Sequence, residues 1–133
     1  MKVVFDTNVL ISSTLWQGSV SQKLLFKLIK ENIKIYSSKE ILLEYQKILK
    51  RDFNYSDKEI SEIMDKILIF VTLVEPKEKV RIVKDDPEDD KIIETAIASF
   101  SDYILTYDKH LLKLKKFKNV KIIKPEKLIS FFK

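Results

Sequence analysis

The sequence predicts an α/β protein, a three-layer arrangement in which helices cover both faces of a central parallel sheet. Three observations carry that expectation. Short β-branched runs alternate with longer stretches whose apolar residues recur at helical spacing. Each strand candidate is separated from the next by a helix, which requires crossover connections and therefore parallel pairing. The 133 residues, 45% hydrophobic, suffice for one core, and no linker, repeat or low-complexity tract divides them. Residues 1–133 are therefore read as one domain.

Lys2 to Phe5 (KVVF) reads as a buried strand that stops at Asp6-Thr7-Asn8. From Ser19 to Glu31, Val20, Leu24, Leu25, Leu28 and Ile29 mark one helical face. Ile33 to Ser37 alternates as a second strand, and Ser38 is placed to cap a helix over Lys39–Arg51. Ser56-Asp57-Lys58-Glu59 has the form of a capping box and opens a long helix through Val71. Val80 to Val83 (VRIV) reads as a third strand. Asp86 then stands at an N-cap with Pro87 at the first helical position, ahead of Ile92, Ile93, Ala96, Ile97 and Phe100. Asp102 to Thr106 is the fourth strand, Lys109–Leu114 a short helix, Val120–Ile123 the last strand and Pro125–Phe132 a closing helix.

Composition removes most catalytic equipment. With Cys 0 there is no disulfide, thiolate metal site or cysteine nucleophile. The single histidine, His110, rules out His-rich zinc sites, disfavours a Ser-His-Asp triad and receives no role; it is expected to be exposed beside Lys109. Gly 1 excludes glycine-rich phosphate loops. No apolar run nears the ~20 residues of a membrane helix, and no export signal is recognisable, so a soluble, cytoplasmic protein is expected. The net charge of +5 suits a polyanionic partner, although solubility alone accounts for it equally well.

What remains is carboxylate chemistry. In parallel α/β sheets ligands bind beyond the carboxyl ends of the strands. Asp6 follows the first strand, the run from Asp85 to Asp90 follows the third, and Asp108 follows the fourth. Glu44 shares a helical face with Ile41, Ile48 and Arg51 and can point inward. Grouped carboxylates repel one another unless neutralised, and Mg²⁺ or Mn²⁺ does this through hard oxygen ligands. On a basic protein such a cluster points to metal-assisted phosphodiester hydrolysis. Each acid also has a structural use. Asp6 can simply end a strand, Asp86 and Asp108 can cap helices, and Asp89, Asp90 or Glu88 can favour a helix dipole.

These residues resemble the PIN-domain ribonucleases over nearly the whole chain. VVFDTNVLIS is similar to the family's first strand and D-x-N motif, and EILLEYQKILKR to the helix that presents its glutamate. DPEDDKIIETAIAS resembles the third motif, DYILTYDKHLL the fourth, and KIIKPEKLISFF the last strand and helix. The resemblance implies that Asp6, Glu44, Asp89 and Asp108 hold the metal, with Asn8 and Thr106 supporting them through hydrogen bonds to Asp6, Asp108 or a bound water. Asp90 rivals Asp89 as the third acid. Tyr107 departs from the pattern, since many members have glycine there. The subgroup most resembled is the VapC-type toxins of prokaryotic toxin-antitoxin systems. That implies a Mg²⁺-dependent endoribonuclease cutting RNA by water attack, a cognate antitoxin, and in many members a homodimer.

Two other classes fit less well. A receiver domain needs an acidic pair after the first strand, and an Asp-x-Asp phosphatase fails because position 8 is Asn. A PIN fold that binds RNA or protein without turnover, and a housekeeping RNA-processing nuclease, stay as alternatives.

Overall fold

The computed structural model describes residues 1–83 and 86–132. Its elements are β1 (Lys2–Phe5), α1 (Thr7–Leu15), α2 (Val20–Lys30), β2 (Lys34–Ser37), α3 (Lys39–Phe53), α4 (Asp57–Phe70), β3 (Val71–Leu73), α5 (Asp90–Ser99), β4 (Tyr103–Leu105), α6 (Lys109–Leu114), β5 (Lys116–Phe117), β6 (Val120–Ile123) and α7 (Pro125–Ile129). Short 3₁₀ turns precede α5 at Pro87–Asp89 and follow α7 at Ser130–Phe132. The six strands form one sheet in the order β3-β2-β1-β4-β6-β5. All pairings are parallel except that of β5 with β6.

Both faces of the sheet are covered, as expected for strands that read as continuous apolar runs. Val3, Phe5, Ile35 and Leu105 pack with α1, α2, α3 and α4. Val4, Ile104 and Ile122, one residue out of phase, pack with Ile92, Ile93 and Ala96 of α5 and Leu111 of α6. Burial of each large aliphatic chain is worth ~1.5–3 kcal/mol, so this alternation locks the register of the central strands. The expected caps are present: Ser38 accepts from the Ile41 N–H at 3.4 Å. At Ser56 the box is reciprocal, with Glu59 N–H to Ser56 Oγ at 3.1 Å and Ser56 N–H to Glu59 Oε1 at 2.9 Å.

The structure corrects the expected third strand. The edge position beside β2 belongs to Val71–Leu73, directly after α4. Val80–Val83 lies outside the sheet. Its N–H groups are taken by carboxylates of α5: Val80 donates to Glu94 Oε2 at 3.0 Å, and Ile82 and Val83 donate to Asp90 Oδ1 at 3.0 and 2.9 Å. Alternation of side chains marks an extended backbone but says nothing about what satisfies its donors.

The sequence also gives no sign of α1. Thr7 and Val9 through Ser13 are all buried. A helix buried along most of its length has no broad polar face and hence no amphipathic period to detect. Its buried hydroxyls turn back on the helix, with Ser12 bonding Val9 O at 3.1 Å and Ser13 bonding Leu10 O at 3.0 Å. At the other end, the closing helix is shorter than expected: α7 stops at Ile129 and a 3₁₀ turn carries the chain to Phe132.

Candidate functional site

The central strands β1 and β4 are neighbours, and Phe5 pairs with Leu105, so Asp6 and Thr106 emerge side by side at the carboxyl edge. Their backbones extend the ladder, Asp6 N–H to Leu105 O at 3.1 Å and Thr106 N–H to Ile123 O at 3.0 Å, which fixes both side chains. From β1 the chain crosses to β2 on one side, while β4 lies on the other. The edge between them is therefore the switch point where parallel sheets open a crevice.

A cavity of about 230 Å³ occupies that crevice, lined by Asp6, Thr7, Asn8, Glu44, Arg51, Asp86, Glu88, Asp89 and Asp108 among others. Asp6, Glu44, Asp89 and Asp108 thus converge from four separate parts of the fold. Asp6, only 4% exposed, is the N-cap of α1: Oδ1 accepts from the Val9 N–H at 2.8 Å and Oδ2 accepts from the Thr106 hydroxyl. Thr106 Oγ1 in turn accepts from the Asp108 N–H at 2.9 Å, linking two of the acids through one buried hydroxyl. Asp108 caps α6, accepting from the His110 N–H at 2.7 Å and the Leu111 N–H at 3.3 Å. Capping and facing the cavity are thus compatible uses of the same carboxylate. Asn8 is exposed at the rim, and its backbone amide stabilises the Asp6 carboxylate.

Glu44 is held at both oxygens. Oε1 accepts from the Thr7 hydroxyl, and Oε2 accepts from Lys91 Nζ at 2.9 Å. Lys91 also reaches Glu88 at 3.2 Å. Burial pulls the Lys91 ammonium down, but Glu44 and then Glu88 outweigh it and leave it above its usual value.

The 3₁₀ turn separates the two rival acids. Asp89 faces the cavity, whereas Asp90 turns back to hold Ile82 and Val83 and does not line it. Asp86 makes no side-chain cap bond; its carboxylate joins the cluster instead. One ligand-capable atom from each of Asp86, Asp89, Asp108 and His110 lies within 4.8 Å of the other three. His110, expected to be exposed, is half-buried with Nδ1 3.7 Å from Asp108 Oδ1. Sequence reading gave no role to Thr7, Lys91 or His110, and it read Asp86, within the acidic run from Asp85 to Asp90, as a helix cap. For His110 the only signal was its nearness in sequence to Asp108. Asp85 lies outside the described residues.

Burial first, and then the crowding of like charges, raises the pKa values of two of these acids. Burial, opposed by the Thr106 and Val9 hydrogen bonds and aided by the Asp108 charge, lifts Asp6 to about 6. Burial, then the charges of Asp108 and Asp86 and a hydrogen bond toward Asp108, lifts Asp89 to about 8. Asp89 Oδ2 is also buried without a hydrogen-bond partner. An orphaned carboxylate oxygen among hard oxygen donors is what a divalent cation satisfies, so the residues fit such an ion.

Because both folded values lie above the usual carboxylate range, the native state binds these protons more tightly than the unfolded chain. The stability this contributes is full below about pH 4 and is lost as pH rises through about 6 and about 8. In EDTA, melting between pH 5 and 8 should show the fold weakening with rising pH, and Asp89→Asn should flatten the slope. An unchanged slope in that variant would contradict the assignment.

Residues 2–110, which include all four acids, match the family model for the PIN domain. The chain belongs to the PIN-domain family. No curated protein sequence matches it. Chains from solved structures do match this PIN domain, among them one from the crystal structure of VapBC2 from Rickettsia felis bound to a DNA fragment from their promoter. That match has a TM-score of 0.65 at 19% identity and covers 92% of this chain and 97% of the other. At that identity the likeness is one of fold. Among the described residues of this PIN domain, no helix is long and apolar enough to cross a membrane.

Proposed function

We propose that this PIN domain is a Mg²⁺-dependent endoribonuclease, the toxin of a toxin-antitoxin pair. The observation that carries the reading is the convergence of Asp6, Glu44, Asp89 and Asp108 on one cavity at the sheet's switch point, with a buried Asp89 oxygen unpartnered. Asp6, Asp89 and Asp108 would hold the cation, with Glu44 bounding the site from α3; Mn²⁺ suits the same donors. When bound, Mg²⁺ polarises the phosphate and makes a water nucleophilic near neutral pH. Thr106 keeps Asp6 and Asp108 aligned, and Thr7 and Lys91 hold the Glu44 carboxylate in place at the cleft. Arg51 at the cavity wall offers a cation to the backbone of an approaching strand.

The toxin assignment is supported by the fold shared with a protein from a VapBC2 complex; by that analogy the partner is an antitoxin, the compartment is the cytoplasm, and a homodimer is the expected assembly. Purified protein is expected to cut a mixed structured-RNA pool in Mg²⁺ and to stop in EDTA, and its expression should arrest growth until an adjacent antitoxin is supplied. Absence of metal-dependent cutting would overturn the nuclease reading. Cutting without growth arrest would replace the toxin with a housekeeping nuclease.

A further inference from the structure

A second hollow of about 520 Å³ adjoins the acidic cavity and shares Asn8 and Ile48 with it. Its walls carry aromatic side chains from three parts of the fold: Trp16 at the end of α1, Phe53 at the end of α3, and Tyr107. Trp16 is 57% and Tyr107 42% exposed. Single exposed aromatics are ordinary on a protein surface, but these line one concave space that shares two wall residues with the candidate reaction site. Tyr107 is anchored, its hydroxyl donating to Glu126 Oε1 at 2.9 Å. It also sits between Thr106 and Asp108, so the backbone that aligns the acids sets the ring's position too. The exposed Asn8 amide stands at the junction of the two spaces, offering both a donor and an acceptor.

We propose that this hollow is a subsite for an unstacked nucleobase of single-stranded RNA, which seats the strand so that a neighbouring phosphate enters the acidic cavity. The proposal rests on the nuclease reading. Sequence-tolerant recognition of single strands uses aromatic platforms beneath the base and polar groups at its edge, both of which this hollow supplies. A paired base hides its edge and its faces, so duplex RNA does not fit.

Trp16 is the only tryptophan in the chain and reports on the hollow directly. The test is titration of its fluorescence in EDTA, where no cutting occurs, with an unstructured RNA oligonucleotide, the same sequence as a duplex, and inorganic polyphosphate. Saturable quenching by the single strand alone is expected. Tyr107→Ala should weaken binding on the order of 10-fold, and Tyr107→Phe, which keeps the ring, should retain it. Equal quenching by polyphosphate or duplex, no quenching, or equal loss in both Tyr107 variants would overturn the proposal. RNA cutting without quenching would sink the subsite and leave the nuclease standing. Quenching that depends on the Tyr107 ring, without metal-dependent cutting, would support the subsite and sink the nuclease.

Discussion

Asp6→Asn is expected to abolish Mg²⁺-dependent RNA cleavage while raising the melting temperature of the metal-free protein. The two effects have one cause. Asp6 is almost wholly buried beside Asp108, and its elevation to about 6 reflects the cost of burying its charge, to which the Asp108 carboxylate adds. At 1.36 kcal/mol per unit, that cost is on the order of 3 kcal/mol when the group is ionised. Asparagine keeps an oxygen for the Val9 N–H at the cap and removes the charge, so a gain of about 1–3 kcal/mol is expected in EDTA above pH 7. The same change deletes a ligand from the proposed metal site. Loss of a partner one shell further out typically costs ~10–100-fold in metal affinity or activity, and loss of a ligand should exceed that. Calorimetric titration with Mg²⁺, thermal melting and the cleavage assay together check the prediction. Undiminished cleavage in the variant would remove Asp6 from the site.

The second large effect is a contrast between adjacent residues. Asp89→Asn is expected to cut activity by at least about 100-fold, whereas Asp90→Asn should stay within about 10-fold of the parent. Asp89 carries the unpartnered oxygen and faces Asp108 across the cavity. Asp90 instead accepts from Ile82 and Val83, and asparagine can still accept both bonds. Its more severe variant, Asp90→Ala, should appear as instability. Each lost hydrogen bond to a charged acceptor is worth ~1.5–3 kcal/mol, and two donors, one buried and one partly buried, would be left without a partner. Urea unfolding of the three variants beside their cleavage rates separates the roles. The opposite order of activities would exchange the two residues.

Why the sequence could not choose between Asp89 and Asp90 is a matter of angle. Neighbouring residues on a helical turn differ by about 100° in direction, enough to send one carboxylate into the crevice and the other onto the strap at 80–83. Both are acids in a first helical turn, and the chain's own pattern treats them alike. His110 is a similar case. Its backbone N–H is held by Asp108 at 2.7 Å, and only the tight turn into α6 brings its ring toward the cluster.

By itself the sequence determined the α/β class, most helix boundaries, the caps at Ser38 and Ser56, and the placement of acids after the strands now numbered β1 and β4. Those features are local: a capping hydroxyl, a 3.6-residue apolar period or an acid that ends a strand acts within a few residues. Tertiary structure decided what depends on distant partners. It put Val71–Leu73 rather than Val80–Val83 at the sheet edge, because Asp90 and Glu94 satisfy the donors of the latter. It made a helix of Thr7–Leu15, most of whose residues are buried in protein. And it joined residues as far apart as Asp6 and Asp108 through the Thr106 hydroxyl, since the register of neighbouring strands is set by burial across the whole sheet.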